Sequence, residues 1–415
     1  LKNPLMFGKK EKERLKWSLF IIYGLTNTFE QWCRILLPFS QWQLRPRPSL
    51  FDSLILNSIS NASTVFGSLF IAHLIDTIGG RSAAIISTII VGIYQIFVAH
   101  IQNYYLFGLW GTLLFFNHMP TIVEALIAQL VGEDGDDKER SRLIMRLIIP
   151  ASIAFAAGPY MAVQILYLIT PSLSLSQSLC GILHILTVLP IIFFGLPDQN
   201  QQSKKFQIPT VSTYFELLKE PKFLWTLFFV MIVTAPYSAY DQVLRSQLST
   251  QMLTSPGDMA KLGLLLGIFT LAVNIFILPR LQQRLGPQAL LLGSLILLFF
   301  CYLYLSWVHD YTYLLFGLPF QIMGVCIANG LLTAQLMGDV PRSHMGKAAA
   351  LNRLAQLAAS TMTPLIAGYY IDVSEMAILC YTSAAITLLG IPIIFYKGGF
   401  MRQHFTNLPI RTHDD

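Results

Sequence analysis

Charge is scarce in this chain of 415 residues. Asp, Glu, Lys and Arg together make up 12%, against about 25% in an ordinary soluble domain. Too few charged side chains are available to clothe a water-facing surface, which excludes a soluble globular body. Cysteine is scarce as well. The five cysteines, Cys33, Cys180, Cys301, Cys326 and Cys380, stand singly inside apolar runs. That pattern indicates neither a disulfide framework nor a zinc site, and it makes them small core residues. Phosphate loops, G-x-S-x-G and H-E-x-x-H segments and paired loop histidines are missing, and the loops are too short for a catalytic domain. Neither an enzyme nor a resident cofactor or metal is expected. The net charge of +6 does not mark a nucleic-acid binder, because the basic residues lie in short loops and form no soluble face.

What the chain has is apolar sequence. Hydrophobic residues are 54% and the mean hydropathy is +0.57, so the solvent of most of its surface is a lipid bilayer. About 20 apolar residues in a helix cross the hydrocarbon core. Such runs fall near 17–39, 53–74, 82–101, 104–131, 143–170 and 177–196, and again near 222–243, 259–279, 288–308, 311–337, 346–370 and 376–396. The expected organisation is a cytoplasmic segment over 1–16, six helices over 17–196, a polar linker over 197–221, six helices over 222–396 and a cytoplasmic tail over 397–415. Cytoplasmic loops retain Lys and Arg. With both termini inside, 23 of the 28 basic residues fall on the inner side. A span count wrong by one would invert every downstream loop and destroy that bias.

The two sets of six look like copies. Ala128-Gln129-Leu130-Val131-Gly132-Glu133 returns 206 residues later as Ala334-Gln335-Leu336-Met337-Gly338-Asp339. Arg140 and Arg146 are matched by Lys347 and Arg353, and Trp17 by Trp225, at offsets of 207 and 208. One offset shared by separate landmarks indicates an internal duplication. The expected fold is therefore an all-α membrane protein of twelve transmembrane helices in two pseudo-symmetric six-helix bundles.

A charged side chain at mid-bilayer costs roughly 2.5–3.5 kcal/mol on insertion scales, so an acid inside a span points to function. Three acids lie well inside spans: Glu30 in the first, Glu124 in the fourth and Asp241 in the seventh. Glu30 with Arg34, and Asp241 with Arg245, are four residues apart and share a helix face. In one reading each arginine neutralises its acid near the outer end of the helix. In the other, the carboxylate alternates between protonated and ionised forms as burial, the arginine and a cationic substrate act on it. Glu30 lies nearest mid-membrane, roughly 20 Å along a helix beginning at Trp17. Glu124 lies near the loop Lys138 to Arg142 and Arg146, which offer it ion-pair partners, or it contacts substrate. His118, six residues earlier, is either a titrating group or a hydrogen-bonded packing residue.

Two segments carry a family resemblance. Asp76-Thr77-Ile78-Gly79-Gly80-Arg81, between the second and third spans, resembles the D-x-x-G-[RK]-[RK] signature of the major facilitator superfamily. Ala72 and Gly80 depart from it. A hairpin this tight needs Gly79 and Gly80 at positive φ, and Asp76 and Arg81 can pair with charges or helix ends. Ala154-Phe155-Ala156-Ala157-Gly158-Pro159-Tyr160-Met161-Ala162 is similar to the G-x-x-x-G-P-x-x-G-G element of the family's antiporters, with Gly158 and Pro159 kept. Small residues allow close packing and proline bends the helix.

The resemblance implies a monomeric secondary transporter that exposes one central cavity to each side in turn. Spans 1, 4, 7 and 10 line it in the family. Glu30, Arg34, Asp241, Arg245, Glu124 and His118 become candidates for substrate and proton coupling. Asn27, Asn117, Tyr237, Tyr240, Gln321 and Asn329 become candidate lining residues, and Asp76, Gly79, Arg81, Gly158 and Pro159 candidate gating residues. The three acids, Gly158-Pro159 and Glu139-Arg140-Ser141-Arg142 resemble most the drug:proton antiporter and organic cation transporter-like branch. That branch implies proton-coupled export of organic cations, from the plasma membrane or an organelle. A facilitator or proton symporter of another small organic solute, and a transporter-like receptor or scaffold without flux, are the alternatives.

Overall fold

The computed structural model describes residues 9–131, 143, 146–169, 172–193, 217–250, 254–338, 345–372 and 375–397. The described chain is almost wholly helical. In hydrocarbon a backbone N–H or C=O has no water to bond, so each segment must satisfy its own, and the α-helix does so. The expected spans appear as α1 (Lys9–Gln41), α2 (Leu50–Ile78), α3 (Gly80–Val98), α4 in two pieces (Tyr104–Gly111 and Met119–Val131), α5 (Ile148–Leu168) and α6 (Leu173–Leu186 continued by Val188–Phe193). The second set is α7 (Pro221–Thr250), α8 in two pieces (Pro256–Ala272 and Leu278–Arg284), α9 (Pro287–Leu305), α10 (Tyr311–Gly338), α11 (Met345–Tyr370) and α12 (Met376–Lys397). Among the described residues nine stretches are long and apolar enough to cross a membrane. The others, α1, α2 and α11, run to 33, 29 and 26 residues, longer than the roughly 20 a crossing needs. The polar residues of α1 and α11 lower their hydropathy.

The helix starts are chemically marked. Ser49 caps α2 and its partner Asp52 returns a bond to the Ser49 N–H, a reciprocal capping box. Asn103 caps α4 through the Leu106 N–H at 3.0 Å. Each such cap contributes about 1 kcal/mol. α1 starts at Lys9, so residues 9–16 of the expected cytoplasmic segment continue the first span as helix.

The hairpin between α2 and α3 turns on one residue. Gly79 has φ 88° and ψ 154°, donates to the Ile75 carbonyl and accepts from the Ala83 N–H, each at 3.1 Å. The expected positive φ at Gly80 is not found. Gly80 opens α3, and a Cβ there would stand 2.7 Å from Leu126 Cδ2, so its small size serves packing against α4.

The chain divides into two compact units, Leu1–Ile208 with Arg245–Leu271, and Pro209–Leu244 with Ala272–Asp415. In the first, Leu15, Leu19 and Ile22 of α1, Ile71 and Ile75 of α2, and Met119, Ile122, Leu126 and Leu130 of α4 form a buried cluster. In the second, α9 packs on α10 and α12, with Leu291, Leu295, Leu298 and Tyr302 buried. Lipid tails are as apolar as leucine, so association here depends on close fit. That explains the glycines at the tightest crossings. Gly92 of α3 and Gly181 of α6 face each other, where a Cβ on Gly181 would lie 2.6 Å from the Ile96 amide nitrogen.

Two helices depart from unbroken expectation. α4 passes through a 3-10 turn, Thr112–Phe116, and then leaves helical geometry at Asn117 (φ −80°, ψ 77°). α8 widens into a π turn over Val273–Ile277. Pro120 accounts for the first: it brings no N–H and belongs in the opening turn of a new helix. The repeat-related α10 runs on unbroken from Tyr311 to Gly338.

Candidate functional site

In the first unit the candidate site is built on α1 and α4. Glu30 and Arg34 lie one turn apart on α1, Glu30 half-buried and Arg34 exposed. Asn27, one turn earlier, donates its Nδ2 hydrogen to the Tyr23 carbonyl at 2.7 Å. The backbone of α1 at this level is held closely by α5. A Cβ at Gly158 would meet the Thr28 carbonyl, and would lie 2.8 Å from Gln31 Cβ and 2.9 Å from the Trp32 amide nitrogen. Only glycine admits that approach. Pro159, beside it, meets α8 at Gly263, where a Cβ would lie 2.7 Å from its Cγ. Gly158-Pro159 thus fixes α5 against two neighbours.

The break in α4 places Asn117 and His118 between two helical pieces. A break in hydrocarbon leaves carbonyls without partners, and neighbours supply them here. Ser87 of α3 donates to the Phe116 carbonyl at 2.6 Å and Thr64 of α2 to the Leu114 carbonyl at 3.3 Å. His118 is 4% exposed and faces α2, where a Cβ at Gly67 would lie 2.8 Å from its Nε2. Irregular backbone at membrane depth is tolerated where protein buries it or a cavity is lined, and broken helices of transporters mark binding sites. Glu124, in the second piece, is exposed. The loop residues Lys138 to Arg142, its proposed partners, lie outside the described residues, and Arg146 is exposed.

In the second unit α7 carries Tyr237 and Asp241, both half-buried. Arg245, on the same helix face as Asp241, is also half-buried and falls in the first unit. Tyr240 is 1% exposed, its ring edge-on to Tyr302 with centroids 6.1 Å apart, so it packs in the core. The polar residues of α10 and α11 form a neutral row. Gln321 is buried, beside the Tyr302 hydroxyl. Asn352 of α11 donates to Thr333 Oγ1 at 3.1 Å, while Asn352 Oδ1 and Asn329 Oδ1 have no partner among the described residues. Glu30, Arg34, His118, Glu124, Tyr237, Asp241 and Arg245 are each engaged by a neighbouring group.

Of the hairpin residues, Arg81 donates from Nη2 to the Ile192 carbonyl at 3.2 Å, closing the end of α6. The Asp76 side chain lies outside the described ones. Among the described residues no cluster of three or more His, Cys, Asp or Glu is placed to hold a metal ion. A cleft of about 260 Å³ between α5 and α8, lined by residues including Ser152, Ala156, Tyr160 and Gly267, contains none of the candidate ionisable groups. It is apolar and does not mark the chemistry.

Sequence reasoning missed a buried polar group that meets α1 beside Glu30: Gln95 of α3 with Cys180 and His184 of α6. Its signal was a glutamine and a histidine inside otherwise apolar spans. It missed the break at Asn117 too, for which Pro120 was the signal.

A family model described as Major Facilitator Superfamily matches residues 48–364. No curated protein matches in sequence. Similar solved structures include a nucleoside transporter, NupG, at 14% identity and TM-score 0.71, covering 92% of this chain and 99% of that one. A POT family transporter in complex with a thioalcohol-conjugated peptide gives 11% and 0.74, covering 93% and 96%. The human organic anion transporter MFSD10 gives 15% and 0.65, covering 92% and 99%. At such identities the likeness is one of fold.

Proposed function

The chain belongs to the major facilitator superfamily, and from that premise we propose that this transporter of small solutes couples export of organic cations to proton entry. The observation that carries the proposal is the placing of Glu30: a carboxylate inside α1, half-buried, with Arg34 one turn further on the same face. A buried carboxylate that cannot stay ionised without a partner exchanges one cation for another. A proton arriving from one side releases the substrate cation, and departure of that proton readies the site for the next. Asp241 with Arg245 repeats the arrangement on α7. Tyr237 adds an aromatic face of the kind that attracts organic cations.

In this reading the halves 17–196 and 222–396 rock about the site, both termini face the cytoplasm and the protein works as a monomer. The basic residues crowded into one set of loops support the orientation. The broken α4 supports a site at membrane depth. Among the similar folds are proteins named for nucleosides, peptides and organic anions, so the substrate panel must include those classes.

The test is uptake into proteoliposomes under imposed pH gradients, with tetraethylammonium, ethidium, uridine, a dipeptide and p-aminohippurate as probes. Acid-loaded vesicles are expected to accumulate a cation, and Glu30→Gln to abolish that accumulation while leaving gradient-free exchange. Accumulation driven by the opposite gradient assigns symport. Persistence of gradient-driven flux in both Glu30→Gln and Asp241→Asn refutes the site.

A further inference from the structure

Three buried polar side chains converge on α1 at the residue before Glu30. The close crossing of α3 and α6 at Gly92 and Gly181 brings Gln95 and Cys180 to the α1 backbone. His184 Nδ1 lies 2.9 Å from Gln95 Oε1, and Gln95 Nε2 lies 3.5 Å from the Phe29 carbonyl oxygen. Cys180 Sγ lies 3.2 Å from the same oxygen and 3.7 Å from Gln95 Oε1. One thiol has one hydrogen to donate, and the shorter contact takes it. The assignment that satisfies every group is a chain: His184 Nδ1–H donates to Gln95, and Gln95 and Cys180 both donate to the Phe29 carbonyl. Gln95, Cys180 and His184 are 1%, 0% and 2% exposed, so no water competes.

In a regular helix the Phe29 carbonyl accepts from the Cys33 N–H. Gln95 and Cys180 add two side-chain donors to that carbonyl. The peptide so held joins Phe29 to Glu30, and on the other side Gly158 of α5 presses on Thr28 and Trp32. The bearing of Glu30 is thus set by α3, α5 and α6 as much as by α1.

We propose that Cys180 and Gln95, backed by His184, are positioning residues for Glu30: they fix the Phe29–Glu30 peptide and with it the surroundings in which the Glu30 carboxyl gains and loses its proton. The inference rests on Glu30 being the coupling group. The ionisable side chains near it are Cys33 and Arg34 on α1, Tyr94 on α3, and Cys180 and His184 on α6. α4, packed on α1, carries His118, which faces α2, and the exposed Glu124; α5 meets α1 through Pro150 and Gly158, which do not ionise.

The experiment is an infrared titration of the purified full chain, which needs no substrate. A protonated carboxyl band that Glu30→Gln removes identifies Glu30. Cys180→Val, which replaces the thiol by an apolar side chain about a methyl group larger, is expected to displace the midpoint of that band by about one pH unit, and Gln95→Leu to displace it likewise. Cys180→Ser, which restores donor and acceptor, is expected to return it towards the parent value. A band indifferent to both Cys180→Val and Gln95→Leu, in folded protein, overturns the positioning role while leaving Glu30 in place. A spectrum with no titrating band that Glu30→Gln removes overturns the reading of Glu30 and this inference with it.

Discussion

Replacing Gly79 by alanine, compared with the same change at Gly80, separates two reasons for a glycine in one hairpin. Gly79 sits at φ 88° and ψ 154°, a region open in practice to glycine alone, where a side chain costs about 1–3 kcal/mol. It cannot relax cheaply, because its N–H is tied to Ile75 and its carbonyl to Ala83, each at 3.1 Å. A shift of φ to negative values would break the end of α2 and the start of α3 together. Gly80 is already helical. A Cβ there would lie 2.7 Å from Leu126 Cδ2 and 3.0 Å from its Cγ, but these are the far end of a side chain that can turn aside. Alanine also gains up to about 1 kcal/mol of helix preference over glycine. Gly80→Ala should therefore stay within about 1 kcal/mol of the parent, and Gly79→Ala should shift the unfolding equilibrium by roughly 5- to 150-fold. Reversible unfolding by SDS in mixed micelles, followed by circular dichroism, measures both. Equal losses, or a larger one at Gly80, would refute the assignment of the turn to Gly79.

Gly158→Val should cost about 1–3 kcal/mol by overpacking and slow exchange of any transported probe, since its side chain must displace the α1 backbone between Thr28 and Trp32; a variant as stable and fast as the parent contradicts that contact. Asn352→Leu should cost less in thermal melting than Thr333→Val, because it loses the bond to Thr333 but also removes a buried oxygen that has no partner among the described residues. Thr333→Val should cost about 1–3 kcal/mol by stranding Asn352 Nδ2, and the opposite order would sink the argument.

The number and place of the helices were legible because hydropathy reports the solvent around a segment, and a bilayer demands about 20 residues of it. Hydropathy does not report backbone continuity. The run over 104–131 is apolar throughout, so nothing in its average revealed the break at Asn117. Pro120 was the local sign, and at the repeat offset of 206 its counterpart is Cys326, which keeps its N–H and leaves α10 continuous. The π turn over Val273–Ile277 was hidden for the same reason. The two hairpin glycines differ in φ and in contact, Gly79 at φ 88° and Gly80 helical against Leu126, and that contact joins residues 46 apart.

The candidate site was half legible on similar grounds. Acids inside spans stand out because their cost is borne locally, one residue at a time. The groups that hold Glu30 in place carry no charge, and they reach α1 from residues 66 and 151 positions away. A duplicated chain need not keep duplicated chemistry. The first unit combines Glu30, a broken α4 and a buried thiol–amide–imidazole chain. The α10 and α11 of the second keep unbroken backbones and neutral amides, and Asn329 Oδ1 and Asn352 Oδ1 have no partner among the described residues. An unpartnered buried amide costs about 1–3 kcal/mol, comparable to an acid on insertion scales. Both units therefore carry polar groups at membrane depth that stability alone would remove. On α1 that cost takes the form of charge, which a proton can neutralise, and on α10 and α11 it takes the form of hydrogen-bonding capacity, which only a polar partner can satisfy.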